Sequence, residues 1–265
     1  MQREPLDVVR LRRNLLESPR SLFTELDVVE STGSTNADLI ARAADPGIDH
    51  AVLLSEAQEQ GRGRHARTWV SPPRAQISMS MLVRLPGIAP EALGWLPLLT
   101  GVAVVDALRA SAGVDAKLKW PNDVLIDGRK VAGILAEVAV SGSDPVVVIG
   151  VGVNVSLTEF ELPVPHAISL VMANEKVADR TLIVESLLGE FTRHFTAWRD
   201  TGWASTELAA AYRARCATIG MRVRAELPGG QSITGIADDV DQAGRLLVGE
   251  HALSAGDVTH LRPAT

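Results

Sequence analysis

Apolar positions change their period several times along the chain, and each change predicts an element. Val8, Leu11, Leu15 and Leu16 recur at helical spacing, which predicts a short amphipathic helix over 8–16. "LDVVES" (26–31) predicts a strand, and "TGSTNADLIARAAD" a turn entering a helix with Ser34 or Thr35 near its cap. "AVLLSEAQ" (51–58) predicts a second strand, and "AQISMSMLVRL" (75–85) alternates as a third. A helix over roughly 91–111 follows in spite of Pro97. "AKLKW" reads as a strand stopped by Pro121, and "DVLIDGRKVAGILAEVAV" as a hairpin through Asp127-Gly128. The unbroken apolar run "PVVVIGVGVNV" (145–155) predicts a strand buried on both faces. Ile183, Leu187, Phe191, Phe195 and Trp198 mark a long core-facing helix. From near Ile219 the helical period disappears, and short alternating strands with turn glycines predict a small β-barrel.

Length and charge narrow the picture. The chain has 265 residues, enough for a full core and for a large domain joined to a small one. A net charge of −6 gives no global basic field to draw the chain to nucleic acid or to an anionic membrane. The arginines of "GRGRHARTW" (61–69) are therefore a local feature, which favours a small anionic ligand over a solvated basic loop. A single cysteine, Cys216, excludes an internal disulfide and any multi-cysteine metal site, and beside Ile219 and Met221 it reads as a small core residue. "MQREPLDVVRLRRNLL" contains no long apolar run, so neither a signal peptide nor a membrane span is expected, and a cytoplasmic enzyme or binding protein fits.

Common nucleotide and hydrolase motifs are missing. No G-x-x-x-x-G-K-[ST] loop occurs, and "GVGVN" lacks the third glycine of a dinucleotide fingerprint. Neither a metalloprotease histidine pair nor a G-x-S-x-G elbow is found. Phosphate handling by arginine and lysine side chains remains. Four stretches offer it: "GSTN" (33–36), "GRGRHARTW" (61–69), "KWPND" (119–123) and "GRKVAGILAE" (128–137). Singly, each has a plain structural reading. Ser34 and Thr35 cap a helix, Trp120-Pro121 ends a strand, Lys130 is a solvated hairpin lysine, and Gly150 and Gly152 admit a closely packed neighbour. The specificity lies in their combination, order and spacing.

That combination resembles the biotin protein ligases, enzymes that attach biotin to a lysine of biotin-dependent carboxylases. The likeness runs from about Leu26 to the C-terminus and rests on GRGRxxRxW, KWPND, GRKxAGIL and GVGVNV. Ala66 departs from it, standing where many members carry glycine, and implies a slightly stiffer loop. The resemblance implies an α+β fold: a catalytic domain (1–217) related to class II aminoacyl-tRNA synthetases, with a mixed sheet and flanking helices, and a C-terminal SH3-like β-barrel (218–265). It also implies a biotin–[biotin carboxyl-carrier protein] ligase. Biotin's carboxylate would attack the α-phosphate of ATP to give biotinyl-5′-AMP, and an acceptor lysine of a biotin carboxyl carrier domain would then expel AMP.

The residues suit that chemistry. The first step joins two anions, so donors must neutralise the carboxylate and the α-phosphate. Lys130 offers a point charge, Arg62 and Arg64 forked donors, and Gly61 and Gly63 a backbone that can approach the adenylate. Trp69 offers a flat surface for adenine, and Arg67, Asn122 and Asn154 complete the expected nucleotide side. Asp123 is expected to act indirectly on the Mg²⁺ that accompanies ATP, and no tightly bound cofactor is expected. Ser34, Thr35, Asn36 and Gln58 can satisfy the ureido ring of biotin, while Gly133, Ile134 and Leu135 line its tail. The dithiolane of lipoate has nothing to bond to such a polar cluster, which disfavours a lipoate or octanoate ligase. A biotin-sensing DNA-binding repressor is disfavoured because only one helix precedes the first strand. The expected partners are thus biotin, ATP and a carrier domain, without nucleic acid or membrane, and the expected state is a monomer or weak dimer.

Overall fold

The computed structural model describes residues 3–19, 21–64, 67–174, 179–227, 230–254 and 256–261. Ala66 and the last four residues lie outside them. In chain order the elements begin with α1 (Val8–Leu16), β1 (Glu25–Val29), α2 (Thr35–Arg42), β2 (Ala51–Ser55) and β3 (Gln76–Arg84). A 3-10 turn (Pro90–Gly94) leads into α3 (Trp95–Ala112), followed by β4 (Ala116–Lys119), β5 (Asp123–Ile126), β6 (Arg129–Val140) and β7 (Val146–Asn154). Next come α4 (Leu170–Ala173), α5 (Arg180–Asp200) and α6 (Thr206–Arg213). The C-terminal part holds β8 (Arg222–Glu226), β9 (Ser232–Val240), β10 (Leu246–Val248), β11 (His251–Leu253) and β12 (Asp257–His260).

Seven strands form one sheet in the order β1-β2-β3-β7-β6-β5-β4, parallel only between β1 and β2, hence mixed. Asp127 (φ 49°) and Gly128 (φ 75°) both take positive φ, the requirement of a two-residue type I′ hairpin turn between β5 and β6. One face of the sheet packs on α3 and α5, which also pack on each other; Val102, Leu108, Phe191 and Phe195 are fully buried there. Pro97 is tolerated because it falls in the first turn of α3, where backbone N–H groups have no intrahelical partner. The other face is covered over β2, β3 and β7 by α2, with Leu39 against Leu53, Leu82 and Val148. Beyond the end of α2 that face is open.

Two features of the fold are not written in the sequence pattern. β3 alternates in sequence, but Gln76–Val83 is buried throughout; its polar members Ser78 and Ser80 face an internal polar cluster instead of solvent. α6 carried no readable signal, since eight residues give barely two turns and Ser205 makes no side-chain cap bond. Cys216 is half-buried against the core.

The C-terminal strands form a separate antiparallel sheet in the order β11-β10-β9-β8-β12. It is fastened to the first by Trp95, which donates to the Gln242 carbonyl at 2.6 Å, and by Trp120, which donates to the Gly244 carbonyl at 3.1 Å. Arg213 pairs with Asp239 at 2.6 Å beside them. These ties hold β12 over the open face of the larger sheet.

Candidate active site

The floor of the site is written in strand register. Ser78 pairs opposite Gly152 and Ser80 opposite Gly150, while Gly133 and Leu135 pair with the same two glycines from the other side. Paired residues share a face, so three strands set two serines, three glycines and Leu135 together beside the N-terminus of α2. A cavity of about 710 Å³ opens above them, a volume suited to a small organic ligand.

The N-terminus of α2 forms one wall. Ser34 caps the helix, accepting the Ala37 N–H at 3.4 Å, and also lines the cavity. Thr35 bonds Gln58 Oε1 through its N–H at 2.9 Å. Asn36 lines the wall as well, but its amide is spent inside the protein: it donates to Glu137 and to the Leu135 carbonyl and accepts from Ser80. The Asn36 side chain thus borders the cavity with its amide already hydrogen-bonded within the protein.

The arginine stretch forms the roof. Arg62, Gly63, Arg64 and Arg67 line the cavity. Arg64 donates to Asn122 Oδ1 at 3.1 Å and to the Gly256 carbonyl at 3.3 Å, bridging the two sheets. Burial pulls its guanidinium below the usual arginine range; Asp257 and Asp123 oppose the shift and Arg67 adds to it. Arg67 pairs with Asp257 of β12. Arg62 lies 3.7 Å from Glu137. Gly61 is not in the lining: a Cβ there would sit 2.0 Å from the Trp69 carbonyl oxygen, so it serves the closure of its own loop.

Trp69, Lys130 and Asp123 complete the centre. The Trp69 indole lies flat enough on β7 that a Cβ on Gly152 would meet its Nε1 at 2.3 Å, and that buried N–H has no hydrogen-bond partner among the described residues. Lys130 Nζ lies 5.3 Å from the indole centroid and 2.5 Å from Asp123 Oδ1. Lys119 approaches Asp123 Oδ2 at 3.7 Å. Lys130 is thus a partnered lysine inside the cavity, and the reading as a plain solvated hairpin residue fails. Asn122 is locked to β6, donating to the Ile134 carbonyl at 2.9 Å.

Two expected lining residues are turned away. Asn154 is buried and bonds Gln76 and the Ile168 carbonyl, so it braces the end of β7 and does not reach the cavity. Ile134 borders the cavity, but its side chain points through the sheet to Gly101 of α3; strand alternation leaves Gly133 and Leu135 on the cavity side. Conversely, the cavity uses Lys119, Pro163, Val164, His166, Glu226 and Asp257, none of which carried a sequence prediction. Lys119 stands inside a quoted motif; the others come from loops and from two distant strands, β8 and β12, with no local signal.

Among the described residues, one further group of side chains has the types to hold a divalent cation. Asp106, Glu190 and His194 bring three ligand atoms within 4.8 Å of one another. Burial pushes the Asp106 carboxyl up, but hydrogen bonds from His194 and Arg215 outweigh it and hold the group at about 2. With Arg215 bidentate on Asp106 and Arg193 at 3.3 Å, cationic side chains already satisfy that carboxylate.

Known proteins carry the same architecture. Residues 31–154 match the Biotin/lipoate A/B protein ligase family, and residues 218–261 match the Biotin protein ligase C terminal domain. The fold resembles the biotin protein ligase from Aquifex aeolicus solved in complex with biotin and ATP, with a TM-score of 0.73, 25% identity, and 91% of this chain and 100% of that chain covered. The chain is 49% identical over 98% of its length, and 97% of the relative's, to the biotin--[acetyl-CoA-carboxylase] ligase of Mycobacterium tuberculosis. It is 33% identical over 84% of its length, and 67% of the relative's, to the bifunctional ligase/repressor BirA of Bacillus spizizenii. The chain belongs to the biotin protein ligase family.

Proposed function

We propose that this protein is an ATP-dependent biotin protein ligase: it forms biotinyl-5′-AMP from biotin and ATP, then transfers biotin to a lysine of a carrier domain. The observation that carries the reading is the convergence of Arg62, Arg64 and Lys130 on one cavity whose other wall holds Thr35 and Gln58. Cations suit the meeting of a carboxylate with a phosphate, and paired hydroxyl and amide groups suit a cyclic urea. Lys130 holds the carboxylate against the α-phosphate, and Arg64 reaches the phosphate and ribose side. Trp69 offers its face to adenine. Mg²⁺ enters with ATP, held mainly by phosphate oxygens; Asp123, already partnered by two lysines, acts on it from outside.

In this reading the larger sheet, within residues 1–217, is a class II synthetase-like catalytic domain, and residues 218–265 form an SH3-like barrel. The acceptor is the carrier domain of a carboxylase. β5 pairs with β6 only as far as Gly133, so the outer part of β6 offers an edge for strand addition on the side away from β7. The protein works as a monomer or weak dimer in the cytoplasm. A lipoate ligase is the rival, and the hydrogen-bonded Thr35–Gln58 wall, which a dithiolane would leave unpaired, argues against it. ATP-dependent pyrophosphate release, measured with biotin, with lipoate and with neither, decides: release with biotin alone supports this reading, and release with lipoate overturns it.

A further inference from the structure

Behind the Thr35 wall runs a chain of buried hydrogen bonds whose direction is fixed at one end. Asn36 Nδ2 donates to Glu137 Oε2 at 2.7 Å and to the Leu135 carbonyl at 3.2 Å. Both partners only accept, so the reverse orientation of the amide would set its oxygen against two acceptors. Gly150 makes the room: a Cβ there would meet Asn36 Oδ1 at 2.4 Å. Asn36 Oδ1 therefore faces Ser80, whose hydroxyl donates to it at 2.6 Å. Ser80 has one proton and has given it away, so its 2.7 Å contact with Thr35 Oγ1 must be supplied by the Thr35 proton. Gln58 Oε1, which accepts the Thr35 N–H at 2.9 Å and lies 3.1 Å from the Thr35 hydroxyl, is a second acceptor in reach of that proton, and it too belongs to the wall. What Thr35 Oγ1 has left for the cavity is a lone pair. Thr35, Asn36 and Ser80 are 3%, 5% and 0% exposed, so water does not scramble this order.

We infer that Glu137 and Ser80 are positioning residues that fix Thr35 as a hydrogen-bond acceptor for a ring N–H of biotin. The inference rests on the biotin reading above and adds a basis for its selectivity: a donor on the ligand is met by a hydroxyl that cannot turn its own proton toward it. Neither residue lines the cavity; both act through Asn36 and Thr35. Because Glu137 also lies 3.7 Å from Arg62, a Glu137→Gln variant drops its charge toward Arg62 while keeping the acceptor for Asn36.

Calorimetric titration of biotin and, separately, of Mg-ATP into the intact protein tests it. Ser80→Ala should weaken biotin by about five- to ten-fold, the scale of one net hydrogen bond, with ATP affinity within two-fold of wild type. Glu137→Ala should weaken biotin in the same direction. Glu137→Gln keeps an acceptor for Asn36 and should restore affinity to within about two-fold of wild type. Glu137 is partly exposed, so its variants remain informative if Ser80→Ala does not fold. Biotin affinity unchanged in Ser80→Ala and Glu137→Ala overturns the inference alone. So does Glu137→Gln binding as weakly as Glu137→Ala, or ATP affinity falling in step with biotin. Wild-type protein that does not bind biotin overturns the proposed function with it.

Discussion

Lys130 Nζ and the Asp123 carboxylate stand 2.5 Å apart across the β5–β6 hairpin, under the face of Trp69. The pair holds an ammonium at the centre of the cavity, and because both side chains are about a fifth exposed it costs less desolvation than a fully buried pair. Asp123 thus fixes where the charge of the lysine sits.

Lys130→Ala should cut pyrophosphate release with biotin and ATP by about a hundred- to a thousand-fold, the usual loss when a donor to developing charge is removed. Stability should change by no more than about 1 kcal/mol, because a partly exposed pair contributes little to folding. Lys130→Arg should rescue incompletely, since a planar fork does not replace a point charge. Stopped-time pyrophosphate assays and a urea titration check both parts. Near wild-type release by the alanine variant would remove Lys130 from the chemistry.

Arg64→Gly removes the bridge from the arginine stretch to Asn122 and to the Gly256 carbonyl. Adenylate formation should slow moderately, and escape of the adenylate should rise more, because a reactive mixed anhydride loses the group that holds its phosphate side. Biotin should then appear on serum albumin in a reaction with Mg-ATP, with little labelling by wild type. If the variant still makes adenylate yet labels albumin no more than wild type, Arg64 is only a clamp for the first step.

Gly152→Ala places a methyl group where the Trp69 indole lies, at 2.3 Å from Nε1. The indole must move, and no flexible side-chain end is available to absorb the contact. ATP should bind at least about ten-fold more weakly, while biotin, whose polar wall lies toward Thr35, changes less. Separate titrations of the two ligands measure the split, and equal losses would place Trp69 away from adenine.

Stability should fall as the solution is acidified through the histidine range. Burial lowers His260 from its ordinary 6.5, and Lys119 lowers it further. Burial lowers His50 as well, against an opposing Asp49. In the unfolded chain both recover the ordinary value and bind protons first, so unfolding is favoured as the pH drops through 6.5, and the loss continues until the folded-state values are reached. Above that range these groups add no slope. Thermal melts between about pH 8 and pH 5 should show the decline, and His260→Gln, which can keep a bond to Thr218, should flatten part of it. A flat profile would mean that neither histidine is neutral through burial.

Local physics was legible in the chain by itself. The hairpin turn at Asp127-Gly128, the doubly buried β7 and the core stripe of α5 follow from backbone preference and apolar period, which need no distant partner. The motifs around Ser34, Arg64, Asn122 and Lys130 also marked the cavity, because each is continuous in sequence. Only the tertiary structure decided which way side chains spend their bonds. Ser80 looks like a surface position of an alternating strand until α2 covers it, and Asn36 looks like a ligand contact until Glu137 takes its amide. Asn154 ends a strand that points at the cavity, yet Gln76 and Ile168 hold it back. Gly256 and Asp257 reach Arg64 and Arg67 from about 190 residues away, a pairing set by how two sheets dock through Trp95 and Trp120. Period and turn chemistry act over a few residues; hydrogen-bond partners are chosen by whatever the packed chain brings within 3 Å, and that is a property of the fold.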